Sequence, residues 1–245
     1  MTISKIKNQL KKFSKDFDLN YDSKWFSYMW ISHRLHILIE YIGYCPDPVY
    51  MKYGNTPEKR IENISKFIAS KDFLACLKRY GGQVASKEGL AQEIFWINKI
   101  KDNKLKSELL AFYKRLKKKL NRTPFIALMT TPRNKKEEAW LLKYCLRHEW
   151  IHILLQKDKI YFQKIKGEYG PYDEGIDEYM GAYLDKSLDN LERFRDEETY
   201  SLEKKGWVYA IKFRELLKNS KTPKEKKVIL LKLLKSLSKK EHEKR

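Results

Sequence analysis

The stretch that most constrains the fold reads CLRHEWIHILLQ, from Cys145 to Gln156. Leu146, Trp150, Ile151, Ile153 and Leu154 surround its polar residues with apolar side chains. A helix written this way has little polar face to offer water, so it belongs in an interior. It carries His148, Glu149 and His152 into that interior, where each needs a partner. The chain must therefore bury this helix, which the pattern extends from about Lys135 to Gln156, and gather complementary groups around it. Arg147 falls at a position compatible with solvent exposure.

His148 and His152 are four residues apart, which places both imidazoles on one helix face, one turn apart. Two such nitrogens suit two corners of a tetrahedral Zn²⁺ site. Glu149, beside the first histidine, is placed to take a proton from a water attacking a carbonyl. That is the chemistry of an HExxH helix. A catalytic zinc needs a third protein ligand, and the segment YDEGIDEYMGAYLDKS offers Glu174. Gly167, Gly170 and Pro171 lie between, enough to reverse the chain and bring a second helix back. Two assignments stay open. Glu174 is the ligand, with Glu178 or Asp177 fixing the tautomer of a ligand imidazole by a hydrogen bond. Alternatively Glu178 is the ligand and Glu174 its neighbour. Asp173 suits the N-cap of this second helix.

HExxH followed by a glutamate helix of the EGxxxY type resembles the gluzincin metallopeptidases. The resemblance covers about Phe125 to Asp185. It implies a zincin-like core in which His148, His152 and Glu174 bind zinc and Glu149 is the general base. Glu178 matches the acidic residue often found four positions after the ligand glutamate. DEGIDEY is similar to the NEGFA stretch of the aminopeptidase branch, with Asp for Asn and Ile for Phe. EYMGAYL is similar to a stretch in repressor-cleaving peptidases. No GxMEN motif for gripping a free amino terminus is present, which points away from a true aminopeptidase. Tyr200 and Tyr209 lie downstream, but with 16 tyrosines in the chain neither stands out as the oxyanion-stabilising group.

Only 10 glycines and 7 prolines favour helices over a turn-rich β architecture. The expected class is α+β and predominantly helical, with a small sheet and two zinc-binding helices. Ile6, Leu10, Phe13 and Phe17 mark an opening helix. A second is expected from about Ser23 to Tyr41, and others near Pro57, from Lys87 to Leu120 and from about Tyr172 to Phe194. Gly81-Gly82 reads as a turn. TPFIALMTTP is the best strand candidate and KIYFQKI a weaker one. The zincin resemblance implies that the first lies at a sheet edge, where an extended peptide adds as a further strand. Residues 1–120 read as a helical module, 121–220 as the metallopeptidase core and 221–245 as a basic amphipathic helix with Leu230, Leu233, Leu234 and Leu237 in its stripe. His33 and His36, three apart in the first module, read as structural or surface histidines.

The net charge is +20, unevenly placed. From Glu168 to Glu203 there are 12 acidic residues against 3 basic ones, so the rest of the chain carries +29. The leading expectation is a zinc endopeptidase with a peptide or protein substrate. The alternative is a basic nucleic-acid-associated protein whose zinc site is structural or inactive, motivated by runs such as KRLKKKLNR. Cys45, Cys76 and Cys145 have no paired spacing, which points to a reducing, cytoplasmic setting. No apolar run approaches the roughly 18 residues of a membrane span, and the first residues carry no secretory signal pattern.

Overall fold

The computed structural model describes residues 1–43, 47–157, 171–198 and 201–232. It is predominantly helical, with one three-stranded sheet. Helix α1 (Ile3–Asp16), strand β1 (Tyr28–Ile31) and α2 (His33–Ile42) come first. Four short helices follow: α3 (Pro48–Met51), α4 (Pro57–Glu62), α5 (Ile64–Ile68) and α6 (Lys71–Cys76). Next are β2 (Gly82–Ser86), α7 (Lys87–Ile97), α8 (Asn103–Leu120), β3 (Phe125–Thr130) and α9 (Lys135–Leu141). A π turn over Leu142–Leu146 precedes α10 (Arg147–Lys157). Then come α11 (Pro171–Leu184), α12 (Leu191–Glu197) and α13 (Ser201–Leu217), and residues 223–232 are helical too. No helix among the described residues is long and apolar enough to cross a membrane.

The contacts group the chain into two compact units, Lys24–Leu141 and Met1–Ser23 with Leu142–Arg245. The sequence boundaries at 120 and 220 divide it differently. The sheet falls in the first of these units and the HExxH helix in the second.

In Lys24–Leu141, β3 is the central strand. It pairs parallel with β1, Tyr28 opposite Ala127, and antiparallel with β2, Val84 opposite Ala127. All six of its residues are buried, so its unbroken apolar run is that of a strand covered on both faces. This corrects the expectation of an edge strand: with neighbours on both sides, β3 has no free backbone ladder for a peptide. β1 corrects the single helix expected over Ser23–Tyr41. Its Tyr-Met-Trp-Ile run suits a strand beside β3. Ser32 then starts α2 by accepting from the Leu35 N–H at 3.2 Å. Gly82, expected in a turn, opens β2. Asp102 caps α8 in the same way, accepting from Lys104 and Leu105 N–H. That helix buries Leu105, Leu109, Phe112, Leu116 and Leu120 in the unit's core.

In the other unit, the predicted stripe of α1 is buried to the last residue, with Ile6, Leu10, Phe13 and Phe17 all at 0% exposure. Phe17 and Tyr183 stand edge to face at 5.4 Å, and Tyr183 donates to Asp16. The helix expected over Tyr172–Phe194 is broken after Leu184, because Lys186 takes a left-handed conformation with φ 56. The described part of the basic C-terminal helix packs on its own protein. Leu230 is fully buried, the Lys226 ammonium lies 5.1 Å from the Phe17 ring, and Lys227 donates to the Asp18 carbonyl. Leu233, Leu234 and Leu237 lie outside the described residues, as does KIYFQKI.

Candidate metal centre

The predicted helix is α10, and it is as buried as its composition requires. Trp150, Ile151, Ile153, Leu154 and Leu155 are at most 1% exposed. The returning helix is α11, which starts at Pro171 and carries Glu174 in its first turns. A glycine pair fixes how closely α11 meets α13. A methyl group added at Gly175 would sit 2.4 Å from Tyr209 Cβ and 2.8 Å from the Gly206 carbonyl. One added at Gly206 would sit 3.0 Å from Glu174 Cβ. Gly175 is thus the residue that lets α13 press against the backbone carrying Glu174.

Three donor atoms converge. His148 Nε2 and His152 Nε2 are 3.0 Å apart. Glu174 Oε2 lies 3.3 Å from His148 Nε2, and Glu174 Oε1 lies 3.9 Å from His152 Nε2. Zinc–ligand bonds of about 2.0–2.1 Å at tetrahedral angles put donor atoms about 3.3 Å apart. The three separations bracket that edge length, and two imidazoles with one carboxylate are the donor set of an open zinc site. The residues present therefore fit the ion.

Asp177 completes the group. Its Oδ2 is 2.6 Å from His152 Nδ1, on the far side of the ring from Nε2, and the residue is 1% exposed. A carboxylate there holds the ring as the Nδ1–H tautomer and leaves the Nε2 lone pair free for a cation. Of the two assignments open in the sequence, the geometry brings Glu174 to the imidazoles and Asp177 to the support position. Glu178 is outside the four-residue group, though close enough to feel His148.

The electrostatics are those of a cluster that holds positive charge. Burial would lower the His148 imidazole, but the Glu174 carboxylate bonded to it holds it well above its ordinary value. Burial likewise opposes charge on His152, and Asp177 reverses this. Burial would raise Glu174, yet the two histidines keep it ionised and well below the usual range. Imidazolium protons or a divalent cation can balance these carboxylates. Glu149, 7% exposed, is different: burial pushes its carboxyl up to about 7, with the two imidazoles pulling the other way. Burial also lifts Glu178 to about 7. The Cys145 thiol, one turn before Glu149, is pushed up to about 12 by burial, so it is a poor nucleophile.

Arg147 corrects the sequence reading, which left it open to water. It is 4% exposed, and its guanidinium grips Asp185 fork to fork, both N–O distances being 2.8 Å. The pair ties the first turn of α10 to the end of α11, around the two histidines and Glu174. The available signal was an arginine amid apolar neighbours, which demands an acid, and Asp185 closes the helix that supplies Glu174. His33 and His36 belong to the other unit, where His36 is buried with Nε2 3.6 Å from Glu40. Tyr209 packs its Cβ beside Gly175, with the Lys212 ammonium 4.7 Å from its ring centroid. Tyr200 lies outside the described residues.

Comparison of the chain with protein-family models, with curated proteins and with solved structures gives no match.

Proposed function

We propose that the chain is a zinc-dependent peptidase of the gluzincin type, cleaving internal peptide bonds, with α10 and α11 as the two zinc-binding helices of a zincin-like core. The carrying observation is the triangle formed by His148 Nε2, His152 Nε2 and Glu174 at the spacing of zinc ligands, with Glu149 buried beside it. A zinc ion held there supplies Lewis acidity, polarising a carbonyl and making a water more acidic. Glu149 takes the proton of the attacking water and returns it to the leaving amine. A carboxyl near 7 suits both halves of that task at neutral pH. Asp177 keeps His152 in the ligand tautomer. Arg147 and Asp185 hold the two ligand-bearing helices in place. The free thiols Cys76 and Cys145 accord with a reducing cytoplasm as the compartment.

The test is metal analysis of the purified protein, together with hydrolysis of a quenched peptide library. The reading requires stoichiometric zinc, and turnover that Glu149→Gln abolishes while zinc is retained. Protein without zinc, or turnover indifferent to Glu149→Gln, would sink it. Glu174→Ala and Glu178→Ala separate the two ligand assignments: zinc affinity should collapse in the first and persist in the second.

A further inference from the structure

The second feature that asks for a partner lies in the Lys24–Leu141 unit, on α8 and the turn that follows it. Lys114, Arg115, Lys117, Lys118, Lys119 and Arg122 are all exposed. Among the described residues none of these six side chains makes an ion pair. No acidic residue occurs between Glu108 and Glu137. Lys114 and Lys118 are four residues apart, about 6 Å of rise along one side of the helix, and Arg122 follows just past its C-cap. Like charges at that spacing repel. The helix dipole offsets this only in the last turn, over Lys117, Lys118 and Lys119; Lys114 and Arg115 come before it. An arrangement that costs stability without an internal partner fits an external polyanion.

A second observation narrows the polyanion. Lys106, on the second turn of α8, donates to the Asn98 carbonyl just after α7. There the Lys99 ammonium lies 4.5 Å from the Phe95 ring and 4.7 Å from the Trp96 ring. Phe95 is 55% exposed, a large aromatic left in water at the end of α7, on the side where α8 begins. Trp96 packs against the core behind it, so the exposed Phe95 ring with Lys99 over it suits an unpaired base, which stacks, and a phosphate, which takes the cation. An anionic membrane fits less well, because the apolar face of α8 is already spent in the core and leaves nothing to insert.

We infer that α8 and the Phe95–Trp96–Lys99 group form a docking surface for a single-stranded nucleic acid, its phosphates on the α8 cations and a base against Phe95. The inference is independent of the peptidase reading. It is tested by fluorescence anisotropy of a labelled single-stranded oligonucleotide with the full chain. Binding should weaken steeply with salt, at a slope of about −4 for six phosphate contacts. Combining Lys114→Gln, Lys117→Gln and Lys118→Gln should flatten the slope by about 2. Phe95→Ala should weaken binding on the order of ten-fold. All four positions avoid the core, and a circular dichroism spectrum checks each variant. Lys118→Gln alone, flattening the slope by about 0.7, stands in if the triple variant misfolds. No salt-dependent binding, binding unchanged in these variants, or a preference for duplex DNA, polyglutamate or anionic vesicles would each overturn the inference.

Discussion

The α10–α11 pair and α8 dispose of charge in opposite ways. On α10 and α11 the groups around the metal triangle are buried or half-buried, and six of them pair off: Arg147 with Asp185, His152 with Asp177, His148 with Glu174. On α8 the cations are exposed and accumulate without acids between them. The difference follows from solvation. A charge out of water costs several kcal/mol unless it is paired in good geometry, so a buried site can hold only groups that answer one another. Water screens an exposed charge for almost nothing, so a surface tolerates an excess until a ligand uses it. A buried cluster is therefore informative through its geometry, and a surface cluster through its imbalance.

The comparison is broken most forcefully at Glu149, the buried acid with no fixed partner of its own in the metal triangle. Glu149→Gln is nearly isosteric, yet it removes the proton acceptor. Peptide turnover should fall by roughly 10² to 10⁴-fold, with zinc content unchanged by atomic absorption. A variant that loses zinc as well would place Glu149 among the ligands instead.

Arg147→Ala tests whether pairing sustains the buried side. It leaves Asp185 without its guanidinium, and because that carboxylate keeps a quarter of its surface in water the cost is about 2 kcal/mol, below that of a fully buried pair. Urea unfolding should show the loss. Acid adds a sign. The guanidinium holds the Asp185 carboxyl below its ordinary value, so the pair's contribution is present above the unfolded carboxyl's value of about 4 and fades as the pH falls through the folded one. The stability gap between the wild type and Arg147→Ala should therefore narrow below about pH 4. A gap that stays constant there would show that packing, not charge, fixes the two helices.

Asp177→Asn is milder. The amide still fills the space but no longer offers a charged acceptor to His152 Nδ1, and losses of 10- to 100-fold in metal affinity are typical of such changes. Zinc competition titration reads the change. Metal must also displace the protons that Glu174 and Asp177 favour on the imidazoles, so affinity should rise with pH through the neutral range. Equal affinities for wild type and variant would assign Asp177 a packing role only.

How much of this was readable in the sequence depends on whether the signal was local. His148, Glu149 and His152 share one helical turn, so periodicity alone placed them together. Glu174 needed a chain reversal, which the glycines and proline before it announced. The α1 stripe was equally plain. What escaped was pairing across distance. Tyr28–Ile31 has a composition that either a helix or a strand accepts, and only its register with Phe125–Thr130 makes it a strand. The short run flanked by prolines marked β3 as a strand, but its edge position came only from the resemblance to zincin folds, and nothing local reveals that β1 and β2 occupy both sides. Arg147 looked exposable because its acid lies 38 residues away. Asp177 rather than Glu178 at the His152 ring turns on helix rotation, which one residue of spacing cannot decide.

The smallest effect sharpens the comparison on its exposed side. If the α8 cations are mutually repulsive and internally unpartnered, neutralising one of them should stabilise the chain. Lys114→Gln is the clean case. It sits before the last turn, so the helix dipole gives it little, and it faces Lys117 and Lys118 at i+3 and i+4. Relieving two like-charge contacts is worth about 0.2–0.5 kcal/mol each. Thermal unfolding at low ionic strength should show a midpoint higher by about 1–3 °C, and the gain should shrink as salt screens the helix. Lys117→Gln, inside the last turn, gives up its dipole attraction along with the repulsion and should leave the midpoint nearly unchanged. If Lys114→Gln destabilises instead, that cation serves the fold, and the contrast between a self-sufficient buried cluster and a surface in want of a ligand fails at that position.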